Sequence, residues 1–435
     1  MNKMFYTIAL ALSIANTLCA QDDVYPSKPY AGPLFIKNGI IHIGNGQVME
    51  GGTIEVENGK IMRVGKDIPI PMDDVKVFDV KGQHVYPGLI LSSSNLGLVE
   101  IQSVKATSDV TEIGDLNPNI RSAVAYNTDS KVINVVRGNG ILLANVVPQG
   151  GILSGSSSVM QLDAWNWEDA VYQGENGIHM NMPPLYLKPN PFAAMMGSAQ
   201  PTGDPVKKSF EQIESIKSFF RQAQAYSTQP ASSTNLKFEA VKGLFTKKQK
   251  LFIHCDVAKE ILVAIDFVKE FGFEVVIVGG SESFQVADLL KKYNIAVILM
   301  QMHELPTLAD DDVDLPYKLP YLLQKAGVLF AINDEDGQHR GMNLPFNAGT
   351  AAAYGLTKEE ALSAITLNAA KILGIGVRTG SIEVGKDANI VVSKGDILDM
   401  RTNAITLAVI QGRTIDLNNK HKQLYDRYML KYGLK

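Results

Sequence analysis

The sequence predicts an α/β protein: a (β/α)8 TIM-like barrel with a small discontinuous β-sandwich domain formed by the N- and C-terminal segments. Three observations predict it. Apolar strands alternate with helical segments through the middle of the chain, the mark of a parallel sheet. Short strands joined by tight turns occur only near the two ends, and together they suit one small sandwich. The 435 residues exceed one typical domain and leave room for a barrel of roughly 250 residues plus a companion.

The elements follow in order. Residues 1–20, "MNKMFYTIALALSIANTLCA", read as a signal peptide, with Lys3 in a basic start, an apolar run from Met4 to Ala15, and small residues before Gln21. That run falls short of the ~20 residues a membrane span needs, so no transmembrane anchor is expected. A lipid on Cys19 is the alternative, although Asn16, Thr17 and Leu18 make a poor lipobox. Secretion across an inner membrane to the periplasm is the expected localisation. After cleavage only Cys255 remains, so no internal disulfide can form.

Residues 21–33 are polar and Pro-rich, a flexible lead-in. Residues 34–84 give the first part of the sandwich, with "TIEVENGKIMRVG" a hairpin whose Asn58-Gly59 supplies the positive φ angles of a type I′ turn. Residues 85–376 carry the barrel, with an insertion at about 172–234 over its mouth. Its strands include "GILLANVVP", "KLFIH", "EVVIVGG", "IAVILM" and "GVLFAIND". Asp256 is expected to cap the helix after "KLFIH". "LTKEEALSAITLNAAKILG" reads as one helix with a Thr357/Glu360 capping box and a stop at Gly374. Residues 377–420 return to the sandwich, and 421–435 form a tail.

Hydrophobic content of 46% and charged content of 20% describe a globular chain with ample core material. The formal net charge is -4 and no Lys/Arg run stands out, which argues against a nucleic-acid partner.

Three stretches carry the resemblance. "IKNGIIHIGNGQVMEGGTIEVENGKIMRVG", "VKGQHVYPGLI" and "YGLTKEEALSAITLNAAKILGIGVRTGSIEVGKDANIVV" resemble the sandwich opening, the entry to barrel strand one, and the closing helix with its return to the sandwich. The family they resemble is the amidohydrolase superfamily, in its imidazolonepropionase-like branch. The resemblance implies hydrolysis of a non-peptide carbon–nitrogen bond, in an amide or cyclic amide. It also implies one or two divalent metals at the C-terminal end of the barrel, held by a His-x-His after strand one, a strand-four ligand, histidines after strands five and six, and an aspartate after strand eight. Such a metal lowers the pKa of a bound water, and the aspartate carries its proton to the leaving nitrogen.

The match is incomplete. Where the family has Pro-Gly-Leu-Ile-Asp-x-His-x-His, this chain runs from Pro87 through Leu91, Ser92, Ser93 and Ser94 to Asn95. His254 matches the strand-five position and Asp334 the strand-eight position. Strand six ends in Gly279, Gly280 and Ser281, and Lys188 in a Pro-rich loop is the nearest lysine to strand four.

His254 and Asp334 are therefore the expected catalytic residues. His254, Asp334 and His303 are the candidate metal ligands, with His339 a further imidazole, and Ser93 and Asn95 are read as substrate-binding. Neutral serine and asparagine are weak transition-metal ligands. The cofactor expected is one divalent metal (Zn, Fe or Mn) at an altered site, or none. His254 reads equally as a remnant bonded to a neighbour, and Glu335 and Asp336 as solvated charges. "SGSSS" (154–158) lacks the nucleophile-elbow glycine spacing and reads as a loop. Trp165 and Trp167 read as packing. His42, His84, His179 and His421 receive no role.

Three functions stay open at this point. They are hydrolysis at an atypical site, a non-catalytic subunit in an oligomer with an active amidohydrolase, and a barrel that binds a small molecule without turnover.

Overall fold

The structure, a computed structural model, describes residues 24–186, 204–228, 233–300, 302–308, 310–334 and 340–434. The signal-peptide reading, Cys19, Lys188 and His339 lie outside the described residues.

The N- and C-terminal segments form one sheet domain, separate from the barrel. Its strands are β1 (Leu34–His42), β2 (Val48–Glu57), β3 (Lys60–Gly65), β4 (Lys76–Asp79) and β5 (His84–Pro87) from the N-terminal side. The chain's other end adds β14 (Ile390–Ser393), β15 (Ile405–Ile410) and β16 (Arg413–Thr414). The order is β16-β15-β14-β5-β1-β2-β3, with β4 also paired to β1. The two sequence segments meet where β14 runs antiparallel to β5, from Ile390 opposite Pro87 to Ser393 opposite His84. Alternate residues such as Leu34, Ile36, Ile54, Val56, Ile390 and Val392 make its buried layer. The β2–β3 turn has φ 50° at Asn58 and 77° at Gly59, as a type I′ turn requires.

The barrel strands are β6 (Leu89–Ser94), β7 (Ile141–Val146), β8 (Leu153–Gln161), β9 (Val171–Asn181), β10 (Lys250–Cys255), β11 (Val275–Gly279), β12 (Ala296–Leu299) and β13 (Phe330–Ile332). They stand side by side in chain order, from β6 to β13. Helices used below are α1 (Lys131–Arg137), α2 (Pro205–Thr228), α3 (Leu236–Phe245), α4 (Ala258–Phe271), α5 (Ala287–Lys292), α6 (Leu315–Ala326), α7 (Leu344–Ala353), α8 (Lys358–Ala364), α9 (Leu367–Ile372) and α10 (Lys420–Lys431).

Four local expectations are revised. β8 runs antiparallel to both β7 and β9, whereas the other neighbouring pairs are parallel. Its connections, residues 147–152 and 162–170, are too short for the crossover a parallel strand needs. The "SGSSS" run is part of this strand, not a loop, and it is buried throughout. Small residues suit it because a Cβ on Gly155 would sit 2.6 Å from the Ile120 carbonyl oxygen. The helix over 356–374 is two helices, α8 and α9, and the break frees the Ile365 carbonyl to accept the N–H of Ile90 at 3.0 Å. The Thr357/Glu360 capping box is present on α8. Asp256 does not cap α4: its N-cap is Val257, and Glu282 accepts the Ala258 N–H at 2.7 Å instead.

A distinct apolar cluster joins barrel residues Ile90, Leu143, Phe252, Val276, Ile298 and Ala331 to α9 through Ala369, Ala370 and Ile372. The wider core lies between the strands and the outer helices, including Phe220 of α2, Leu244 of α3, Ile261 of α4 and Leu290 of α5. Trp167 packs on that core while Trp165 is exposed. The two domains are tied by buried Asp163, which accepts from Arg137 at 2.7 Å and from Arg413 of β16 at 3.0 Å. Among the described residues no helix is long and apolar enough to cross a membrane.

Candidate active site at the barrel mouth

The C-terminal ends of the barrel strands carry the candidate side chains, as the fold predicts. At the β6 end, Ser92 and Ser93 are fully buried and Asn95 is half-buried. Asn333, immediately after β13, closes this part of the ring. Its Oδ1 accepts the N–H of Ser92 at 2.8 Å and of Ser93 at 3.1 Å, and its Nδ2 donates to the Ser93 carbonyl at 2.7 Å. β13 and β6 share no strand register, so this one amide substitutes for the missing ladder. Asn145 of β7 extends the seam by donating to the Ser92 carbonyl at 3.1 Å. The Ser93 hydroxyl oxygen and the Asn145 Oδ1 are buried with no hydrogen-bond partner among the described residues.

His254 is the penultimate residue of β10, and beside it His179 of β9 is wholly buried. His179 Nδ1 lies 2.9 Å from His254 Nε2, and the His179 ring stacks on Phe252 at 4.7 Å. Burial pushes His254 down to about 4, and burial, then His254 itself, holds His179 well below the usual imidazole range. Both rings are therefore neutral near neutrality, and their contact is one N–H donating to one lone pair. His179 Nε2 is buried with no hydrogen-bond partner among the described residues. Cys255, next along the strand, is buried with its thiol pushed up by that burial, which makes it a poor nucleophile.

Asp334 follows Asn333 and is buried, with its Oδ1 3.6 Å from Arg340 Nε. His303 turns to α7, where its Nε2 lies 2.7 Å from the Thr350 hydroxyl. Burial, with Arg340 nearby, lowers its pKa. The structure thus brings His254 together with His179, and it sets His303 against Thr350 and Asp334 against Arg340.

A cavity of about 780 Å³ opens over the ends of β10, β11 and β12, with His254, Gly279 and Met300 among its lining residues and α6 along one wall. That size suits a small molecule.

The metal that the resemblance implies needs three or more convergent donors. Among the described residues, no group of three or more His, Cys, Asp or Glu is placed to hold an ion. His179 and His254 turn facing nitrogens on each other, and strand six offers only Gly279, Gly280 and Ser281. The described residues do not make the family's ligand set.

Sequence reasoning missed His179 and the structural part played by Asn333. The signal for His179 was present. "GIHMN" is a glycine-led apolar run ending in polar residues, like "KLFIH", and the structure pairs Ile253 with Met180 and His254 with Asn181.

Comparison with known proteins gives three results. A model of the amidohydrolase family matches residues 320–416. Amidohydrolase tasK of Hapsidospora irregularis is 21% identical over 387 residues, which is 80% of this chain and 38% of that protein. The chain thus spans well under half the length of that curated relative. Among solved structures, an amidohydrolase from Thermotoga maritima MSB8 superposes with a TM-score of 0.76 at 25% identity, over 88% of this chain and 99% of that one. An adenosine deaminase from Xanthomonas campestris with bound zinc has the same fold, with a TM-score of 0.51 at 15% identity over 93% of this chain and 99% of its own.

Proposed function

We propose an activity for this chain from the premise that it belongs to the amidohydrolase superfamily. The reading is an exported, periplasmic hydrolase of a non-peptide carbon–nitrogen bond, an amide or cyclic amide, whose usual metal site is largely lost. The observation that carries it is the His179–His254 pair at the ends of β9 and β10, beside a cavity that can hold a small molecule. The chain's own groups then bind and orient. His254, neutral and on the cavity wall, can donate to a carbonyl or accept from water, and His179 fixes which nitrogen carries the hydrogen. Asp334 is the carboxylate for moving a proton to the leaving nitrogen.

A base with a pKa of about 4 accepts protons weakly near neutrality. That weakness gives a second reading standing: a non-catalytic subunit that pairs with an active amidohydrolase. One observation favours it. Asn333 occupies the backbone donors of Ser92 and Ser93 where the family places ligands.

A panel of amides and cyclic amides, assayed with the purified mature protein with and without zinc, iron or manganese, decides between them. The hydrolase reading expects turnover that His254→Ala and Asp334→Ala each abolish. Turnover that survives both substitutions, or no turnover under any condition, overturns it. The subunit reading expects co-purification with a second amidohydrolase that carries His-x-His, and a strictly homomeric protein in native extracts counts against it. Elemental mass spectrometry settles the cofactor. One ion per chain, lost in His254→Ala, would mean an altered site, and no ion after incubation with excess metal would mean none.

A further inference from the structure

The cavity over β10–β12 carries charge of one sign. Asp256, Glu260, Glu304 and Asp311 line it, and among the described residues no lysine or arginine does. Its one histidine, His254, is neutral. The remaining walls are largely apolar, with Met182, Met300, Met302, Leu305, Pro306 and Leu319 among them.

We propose that this cavity selects ligands bearing a positive charge on an apolar body, such as a primary or secondary amine on an alkyl or aryl group. The proposal rests on the hydrolase reading only for which bond is cut, since the selectivity follows from the walls alone. A cleft of one charge sign with low-dielectric walls concentrates its field and draws in the opposite charge. A carboxylate entering here would lose water against the like charges of Glu304 and Asp311, with Glu260 behind them, which is costly. The apolar walls bind the body of the ligand, and three methionines let them adapt to its shape.

The acidic groups divide their labour. Glu260 is buried, and its oxygens accept the N–H groups of Leu185 at 3.0 Å and Asp256 at 3.3 Å, so it supplies field rather than contact. Glu304 is exposed and Asp311 half-buried on the loop between β12 and α6; Asp311 accepts the Leu308 N–H at 3.1 Å through one oxygen, and an ammonium in the cavity can reach the pair. Lys318 of α6 does not cancel them, because it pairs with Asp312 at 3.2 Å and Asp314 at 2.7 Å. A substrate of this class is an amide with a basic, apolar substituent.

The test is calorimetric binding of n-hexylamine, 1-hexanol and hexanoate to the purified protein, at low and high salt. Hexylamine is expected to bind at least about threefold more tightly than hexanol, the scale of one partly exposed ion pair. Hexanoate is expected not to bind, and the amine preference should shrink in high salt. The double variant Glu304→Gln, Asp311→Asn should lose the preference while its unliganded Tm moves by no more than a few degrees, because Glu304 is exposed and the Asn side chain keeps an oxygen for the Leu308 N–H. Hexanoate or hexanol binding as tightly as hexylamine, no hexylamine binding, or an unchanged preference in the double variant would each overturn the proposal. Amine binding without amide turnover would sink the hydrolase reading and leave this one standing, and turnover without amine preference would do the reverse.

Discussion

On the β6–β13 side of the barrel mouth, polar groups are spent on one another. Asn333 bonds both backbone donors and one carbonyl of Ser92 and Ser93, and Asn145 takes a further carbonyl. On the β10–β12 side the strand ends open into the cavity, with His254 and a set of carboxylates on its walls. The family chemistry asks both sides to contribute ligands to one centre. Here the first side is a structural closure and the second carries the pocket, so barrel closure and the cavity rest on different strand ends.

The largest effect should come from the closed side. Asn333→Ala would leave two buried N–H groups and one carbonyl unpaired. Three orphans at about 1–3 kcal/mol each put the loss at about 3 kcal/mol of unfolding free energy or more. Urea denaturation measures it directly, and a loss below about 1 kcal/mol would show that the amide is not what closes the barrel. Glu304→Gln, on the open side, should move stability by less than about 0.5 kcal/mol.

The next effect separates the sides by pH. His254 is held at about 4 in the folded chain against an ordinary 6.5. Between those values the unfolded chain binds a proton that the folded one refuses, so acid favours unfolding. The stability involved is present in full above pH 6.5 and falls as pH drops towards 4, by about 3 kcal/mol at 1.36 kcal/mol per unit. His179 acts in the same direction. The serines and amides of the closed side do not titrate in this window. Denaturation curves at pH 7 and pH 4.5 should therefore converge partway in His254→Asn, and an undiminished pH dependence in that variant would refute the assignment.

Much of the scaffold was legible because local chemistry and tertiary structure agree. Asn58-Gly59 makes its turn, Thr357 and Glu360 make their capping box, and "KLFIH" is a strand that carries His254 one residue before its end. What was hidden depends on distant partners. "SGSSS" has loop composition, and only its place between β7 and β9 makes it a buried strand. The α8–α9 break answers to the N–H of Ile90, far away in sequence. His179 looked like part of an insertion because its strand signal is short. Asn333 acts through a side-chain bond across 240 residues to Ser93, which no local pattern announces.

The smallest of these effects asks whether the closed side can be reopened. Ser93→His with Asn95→His introduces a His-x-His at this position. Ser93 has no exposed surface, and its N–H and carbonyl are both held by Asn333. An imidazole there must displace packed neighbours, at about 1–3 kcal/mol. Metal ligation also needs the ring held in place by outer hydrogen bonds, which two substitutions do not supply. The double variant should be modestly less stable and gain no tightly bound zinc by elemental mass spectrometry. One zinc per chain, lost again on adding His254→Ala, would mean that the two sides still face a common centre and that only the ligands of β6 had been removed.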